Sequence, residues 1–474
     1  MNQPLRLIQS LRLWDVVAMN IVAVVGLRWI SRSARLGAPS VTLWTLACLV
    51  FFVPLAAVLA ELSSRHPEQG GIYAWARRAF GPTHGFVCGW CMWVNNLFYF
   101  PALLLFGAAN ATLMFGSGGA LVADNRLYSV AFVVGALWFC TLLNIVGFSA
   151  GKWLQHIGSV ATWIPAALLI GGGAIAFATF GSATSFAPSQ LIPREDLWTT
   201  LSLWSAMCFA FSGFEISSMV GQEVHEPRRT IPRSIVISGV AITAIYILSS
   251  ASVLVAVPAS ELAERSGIAD AVELSSGRLG FAGMGAFIGL LLAVGSIGGT
   301  SSWVAGAARV PFAAGVDAAM PAVFAKLHPK YRTPHVALIV QALAATALFL
   351  ASVYLSVGGG QTSIQEAYDI MVNLTILVYF IPYLYLFAAF IKLRTLDRDM
   401  PEDDNTIRLP GGAIGAFAIA GCGLLATFIA LGLVFVPPPD TANTVNYEVN
   451  LIGQAALLLA IGMGLYLFAR RRPA

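Results

Sequence analysis

Asn20–Ile21–Val22–Ala23–Val24–Val25–Gly26–Leu27–Arg28–Trp29 is an apolar run broken by a glycine and an arginine. Phe209–Ala210–Phe211–Ser212–Gly213–Phe214–Glu215 is a second, broken by a glycine and a carboxylate. Each lies in the middle of a stretch otherwise fit to cross a hydrocarbon core of about 30 Å. They fall in the first and sixth such stretches, five apart, which places them at matching positions in two five-helix halves. Paired interrupted helices of this kind point to a carrier site built from inverted repeats. Broken backbone at membrane depth survives only where it lines a cavity or is buried in protein. A break exposes peptide N–H groups on one half-helix and C=O groups on the other, which suits a zwitterion, carboxylate on amides and ammonium on carbonyls. The plainer alternative is that Gly26 and Gly213 only let helices pack closely.

The rest of the chain agrees with a membrane reading. Of 474 residues, 58% are hydrophobic and 11% are charged, against roughly 25% charged in an average soluble domain. The apolar segments are continuous, not alternating, which excludes a β-barrel. The expected class is an all-α membrane protein with about twelve spans, near 14–36, 41–62, 84–115, 127–147, 156–180, 198–221, 232–256, 281–307, 335–356, 366–391, 412–436 and 447–469. The first half would be 14–180, the second 198–391, with two peripheral helices over 412–469. With the N-terminus placed in the cytoplasm, all but seven of the 27 Lys and Arg residues fall on the cytoplasmic side. The exceptions are Arg28, Arg32, Arg35, Arg126, Arg194, Arg265 and Arg278. The positive-inside rule therefore predicts an inner or plasma membrane protein with both termini cytoplasmic.

The net charge of +4 belongs to loop anchors and implies no nucleic-acid partner. The N-terminal segment lacks a small-residue cleavage site and reads as a retained helix. Cys88 and Cys91 form a C-x-x-C, but within a span they read as small apolar packers rather than a redox or metal pair. The histidines show no metal-ligand spacing. No cofactor is expected, and no cluster of catalytic groups marks an enzyme. Oligomeric state is left open.

The loops carry more specific signals. Ala60–Glu61–Leu62, then Pro67–Glu68–Gln69–Gly70–Gly71–Ile72–Tyr73 and Ala79–Phe80–Gly81, resemble the loop between the second and third helices of the amino acid–polyamine–organocation permeases. Gln222–Glu223–Val224–His225–Glu226–Pro227–Arg228–Arg229–Thr230–Ile231–Pro232 is similar to the loop after their sixth helix. Ser302–Trp303–Val304–Ala305–Gly306 with Arg309 resembles the eighth helix of the glutamate/GABA antiporters. Ile381–Pro382–Tyr383–Leu384–Tyr385 resembles the tenth of the arginine/agmatine antiporters. The resemblance covers about residues 14–392. It implies two inverted five-helix repeats plus two peripheral helices, with the solute held between helices one, three, six, eight and ten. It also exposes a departure: many members have a glycine-rich break in helix one, where this chain has Val24–Val25–Gly26–Leu27–Arg28.

Candidate substrate-binding residues are Val24, Val25, Gly26, Leu27, Arg28, Phe209, Ala210, Phe211, Ser212 and Gly213 at the breaks, with Asn95, Asn96, Trp303 and Asn373. An arginine at mid-membrane costs roughly 3 kcal/mol or more on insertion scales. Arg28 should therefore pair with Glu215, hold a substrate carboxylate, or snorkel outward. Asn95 and Asn96 are adjacent amides in an apolar span, so at least one should face a cavity. The resemblance gives Phe209 and Trp303 the positions of gating aromatics, able to contact an ammonium. It places Asn96 where plant polyamine permeases carry an acid, which argues against a polyamine.

Energy coupling has three open routes. Proton-driven members of the resembled family carry a lysine in helix five, seven residues after a glutamine and three before a proline. Gln155 and Pro165 match that frame, and Thr162 stands at the lysine position. Threonine cannot titrate, so the resemblance favours exchange of one solute for another. Hydroxyls of Thr162, Thr300, Ser301 and Ser302 offer a sodium route, and Glu215 a proton route. The expected function is amino acid transport by alternating access, with uptake of polyamines or other organic amines as the alternative. A sensor would add soluble domains or long tails, and a channel would lack paired gates.

Overall fold

The computed structural model describes residues 9–68, 70–119, 122, 125–193, 197–258, 283–317, 319–354, 364–396, 406–436 and 444–470. Gln69, Arg6, Arg194, Arg265, Arg278, Arg398, Arg471 and Arg472, with the outermost residues of the eighth and ninth expected spans, lie outside them. Among the described residues the regular secondary structure is helical, save for one isolated bridge between Leu11 and Val224. Ten helices are long and apolar enough to cross a membrane, from Leu13–Ala34 to Gly412–Leu433. The sixth span is shorter because its helix, Leu197–Ala210, stops at the second break. The twelfth runs over Thr444–Arg470, with an apolar part at Ala455–Phe468.

Both breaks are present. The first span is helical over Leu13–Val24 and again over Arg28–Ala34, with Val25 extended at φ −68°, ψ 97°. The sixth resumes only as Ile216–Met219, and Gly213 sits at φ +118°. That backbone region costs an L-residue about 1–2 kcal/mol, so glycine is the residue the turn demands. The second span also departs from α geometry, with a π-helical turn at Cys48–Phe52 just ahead of Pro54. Proline has no N–H to continue the ladder. The widened turn sets Phe52 stacked on Phe211, ring centroids 4.7 Å apart, and Phe51 against Tyr383 at 5.8 Å.

Spans one, three and ten are the most buried. Span eight packs against spans three and five, and span one against spans five and seven. Spans five and eight come together at glycines: a Cβ on Gly298 would lie 2.5 Å from the Gly158 Cα. Span eleven lies against spans two, six and ten, and span twelve against spans three and ten. Apolar side chains on the outer faces are exposed, including Val240, Ile414, Leu425 and Phe428. In water such a surface would be a liability, whereas in lipid it is the expected one.

One end of the bundle is tied shut by the loops whose motifs stand out in the sequence. Ser10 and Leu11 donate their amides to the Glu223 carbonyl at 2.9 and 3.1 Å, and His225 donates to the Leu11 carbonyl at 2.9 Å. Beneath this strap Arg309 of span eight grips Glu223 in a two-point ion pair, 2.7 Å and 3.0 Å, with both side chains buried. Gly71 lies against span six, where a Cβ would meet the Ser218 hydroxyl at 2.4 Å. Glu61 is buried with Arg394 and accepts from the Leu409 amide at 2.8 Å.

Candidate functional site

The two breaks meet at a tyrosine. Tyr246 of span seven brings its hydroxyl to within 2.8 Å of the Val24 carbonyl and 2.9 Å of the Ala210 carbonyl. The same oxygen accepts from the Gly26 amide at 3.0 Å. The hydroxyl has one proton, so the two carbonyls share it. Its ring is fully buried and stacks on Trp44 at 4.4 Å. Trp303 of span eight adds a second tie, donating from Nε1 to the Ala23 carbonyl at 2.9 Å.

On the far side of the sixth-span break, Glu215 is fully buried. Tyr379 and Tyr383 of span ten donate their hydroxyls to its two carboxylate oxygens, Tyr383 at 2.8 Å. The Gly213 amide lies 3.0 Å from the Tyr383 hydroxyl and 3.2 Å from Oε2 of Glu215. The carboxylate is thus held by two hydroxyls and an amide, and it pins the break to span ten. Arg28 is not among its partners. Of the three readings open for Arg28, the pair with Glu215 does not form; span-ten hydroxyls hold the carboxylate instead.

Two cavities flank the breaks. A small aromatic one is lined by Val24, Trp29, Asn95, Tyr99, Phe209, Ala210, Ser212, Trp303 and Tyr379, among others. Its rings meet edge to face, Trp29 with Phe209 at 5.6 Å and Tyr99 with Trp303 at 5.4 Å. A larger one is lined by Val25, Gly26, Leu27, Arg28, Tyr99, Thr162 and Ser296, among others. Tyr99 faces both. Arg28 does not snorkel: it is only 5% exposed, with its guanidinium carbon 4.8 Å from the Trp29 ring centre and 5.3 Å from that of Tyr99. Its Nε and Nη1 have no hydrogen-bond partner.

The candidate residues divide accordingly. Val24, Val25, Gly26, Leu27, Arg28, Asn95, Phe209, Ala210, Ser212, Trp303 and Thr162 line one cavity or the other. Asn96 turns back to its own helix, donating to the Met92 carbonyl at 2.7 Å, while Asn95 lines the aromatic cavity with its Oδ1 unpartnered. Phe211 points away into the packing of Trp44, Phe52 and Tyr246. Asn373 is half-buried and lines neither cavity. Gly213 and Glu215 hold the break from behind. Of the hydroxyls considered for sodium, Thr162 donates to the Gly158 carbonyl at 2.8 Å and Ser301 is tied to Asn144 at 3.0 Å. Thr300 and Ser302 are buried with unpartnered hydroxyls. No hydrogen bond among the described residues joins these four. Tyr246, Tyr379 and Tyr99 have no place in the sequence reading, and Trp29 and Tyr383 enter it only within quoted stretches. Their signal is a phenol in an apolar span, which must find a partner when buried, with Tyr379 and Tyr383 one helical turn apart.

The amino acid permease family profile matches residues 11–461, nearly the whole chain. The chain belongs to the amino acid permease family. An uncharacterized transporter of Legionella pneumophila is 30% identical over 465 residues, 97% of each chain. A protein of Lactococcus lactis named as a probable agmatine/putrescine antiporter is 26% identical over 83% of this chain and 79% of its own. A glutamate/gamma-aminobutyrate antiporter of the same species is 24% identical over 85% and 79%. This amino acid permease is therefore a multi-pass membrane transporter and not an enzyme. The resemblance read from its loops is a true family relationship.

Proposed function

We propose that this permease carries amino acids across the cell membrane by exchange, one solute inward for another outward, through alternating access. The observation that supports it best is the convergence of the two helix breaks on Tyr246, with cavities opening on either side. In this reading residues 14–180 and 198–391 are inverted repeats, 412–469 are peripheral, and both termini are cytoplasmic. The solute lies between the aromatic cavity and the Arg28 cavity, with Phe209 and Trp303 closing over it. The tied end described above is the closed inner side of the carrier. Opening it requires the Leu11–Val224 strap and the Glu223–Arg309 pair to separate.

Exchange is favoured over ion coupling by three features. Thr162 cannot titrate, and the cavity it lines already holds the permanent charge of Arg28, which repels a sodium ion in a site of low dielectric. Two of the four candidate hydroxyls already have partners, Thr162 the Gly158 carbonyl and Ser301 the Asn144 amide. Two of the related proteins are antiporters by name. Glu215 remains the one buried carboxylate at the breaks and is the proton route if coupling exists.

The test is uptake into liposomes holding the purified protein. Vesicles preloaded with an unlabelled amino acid should accumulate the labelled one, and empty vesicles should accumulate little. Concentrative uptake into empty vesicles, driven by a sodium or proton gradient alone, would overturn the exchange reading.

A further inference from the structure

Arg28 is a buried cation that the site satisfies only in part. It is buried, its guanidinium is flanked by the rings of Trp29 and Tyr99, and Nε and Nη1 have no hydrogen-bond partner. Among the described residues no carboxylate forms an ion pair with it, and the nearest candidate by sequence, Glu215, is fully engaged by Tyr379, Tyr383 and Gly213. A buried cation left without an anion is costly, and proteins keep such a group only where something arrives to pair with it. The ring faces help, because a cation over an aromatic is attracted to it, and so does the Tyr99 hydroxyl beside it, but Nε and Nη1 stay unused. The guanidinium fork matches a carboxylate better than any other small group.

The neighbouring cavity has the opposite character. Trp29 and Tyr99, which Arg28 covers, border it on one side; Phe209, Trp303 and Tyr379 line the rest with the unpartnered Oδ1 of Asn95 as an acceptor, among others. Such a lining receives an ammonium. Tyr99 borders both spaces, so a solute lying across it would have its negative end on Arg28 and its positive end among the rings.

We infer that Arg28 binds the carboxylate of the transported solute and restricts this carrier to solutes that have one, excluding diamines and other decarboxylated amines. The inference rests on the carrier reading above and names its substrate class. A diamine would bring a second positive charge toward Arg28, with no carboxylate available to offset it. That separates this chain from what its relative named for agmatine and putrescine handles, although the two are similar in sequence.

The experiment uses the full chain purified in detergent, with thermal stability read by intrinsic tryptophan fluorescence. The probes are the twenty protein amino acids, 4-aminobutyrate, putrescine and agmatine, added singly. The wild type should be stabilised by one or more amino acids or by 4-aminobutyrate, and not by putrescine or agmatine at equal concentration. The amide and the methyl ester of the best binder, which keep its ammonium and lose its negative charge, should bind at least tenfold more weakly. Arg28→Met should narrow that preference to less than threefold, and Arg28→Lys should keep part of it. The wild-type comparison stands even if the variants fail to fold. Equal stabilisation by the acid and its amide, or by putrescine, would overturn the inference while leaving an amine carrier in place. Stabilisation by none of the probes would overturn the proposed amino acid exchange, and this inference with it.

Discussion

Replacing Tyr246 with phenylalanine removes one oxygen from the point where both helix breaks meet. The ring is retained, so its stack on Trp44 at 4.4 Å and its edge contact with Phe211 at 5.2 Å should survive. What is lost is a donor to the Val24 and Ala210 carbonyls and an acceptor for the Gly26 amide. A buried backbone group left unpaired costs about 1–3 kcal/mol. One hydroxyl proton fully serves one carbonyl, so two groups are orphaned and the loss should be about 2–4 kcal/mol after local relaxation. If about 1.4 kcal/mol of this falls on the substrate-bound state alone, affinity drops tenfold. The assay is paired: thermal stability in detergent and solute exchange in liposomes, each against wild type. Tyr246→Phe should melt several degrees lower and exchange at least tenfold more slowly at low solute concentration. A variant with wild-type melting and wild-type exchange would refute the claim that this hydroxyl joins the breaks.

Two further predictions concern the ties around the site. Arg309→Met alone should destabilise the protein by about 3–5 kcal/mol, since it leaves Glu223 buried without its cation. Adding Glu223→Gln should restore part of that loss, as measured by thermal melting. Glu215→Gln and Tyr383→Phe should be coupled by about 0.5–3 kcal/mol in a double-mutant cycle, because they share one hydrogen bond 2.8 Å long. Strict additivity would show that the carboxylate and the span-ten hydroxyl act separately.

The spans and both breaks were legible because apolarity, glycine and isolated charges are one-dimensional signals. Gly26 and Gly213 interrupt long apolar runs, and the chain bends at both. The loop motifs were legible as family marks, while their physical work, Glu223 on Arg309 and Glu61 on Arg394, became visible only in three dimensions. Helix rotation explains why Asn95 reached a cavity and Asn96 did not. Successive residues on a helix point about 100° apart, so adjacent amides cannot share a face. Phe211, just past the helix end at Ala210, turns into packing while Phe209 and Ala210 line the site. Pairing Arg28 with Glu215 was the natural reading of two buried charges in a chain of apolar residues. The pair is absent: Tyr379 and Tyr383, hydroxyls from a distant segment, hold the carboxylate, and Arg28 lies against Trp29 and Tyr99. The partners of a backbone break come from other spans, and spacing along one span does not announce them.

The central claim is that solute binds where the two breaks converge, and backbone bulk tests it most directly. A Cβ on Gly213 would lie 2.9 Å from the Trp303 ring and 3.0 Å from Val24 Cγ2, at a φ of +118°; one on Gly26 would lie 2.8 Å from the Trp29 ring. The decisive measurement is equilibrium binding, to purified and folded Gly26→Leu and Gly213→Leu, of the amino acid that the wild type exchanges fastest. Both variants should reach the membrane and bind that amino acid too weakly to detect. Wild-type affinity in both would place the solute somewhere other than the breaks and contradict the account.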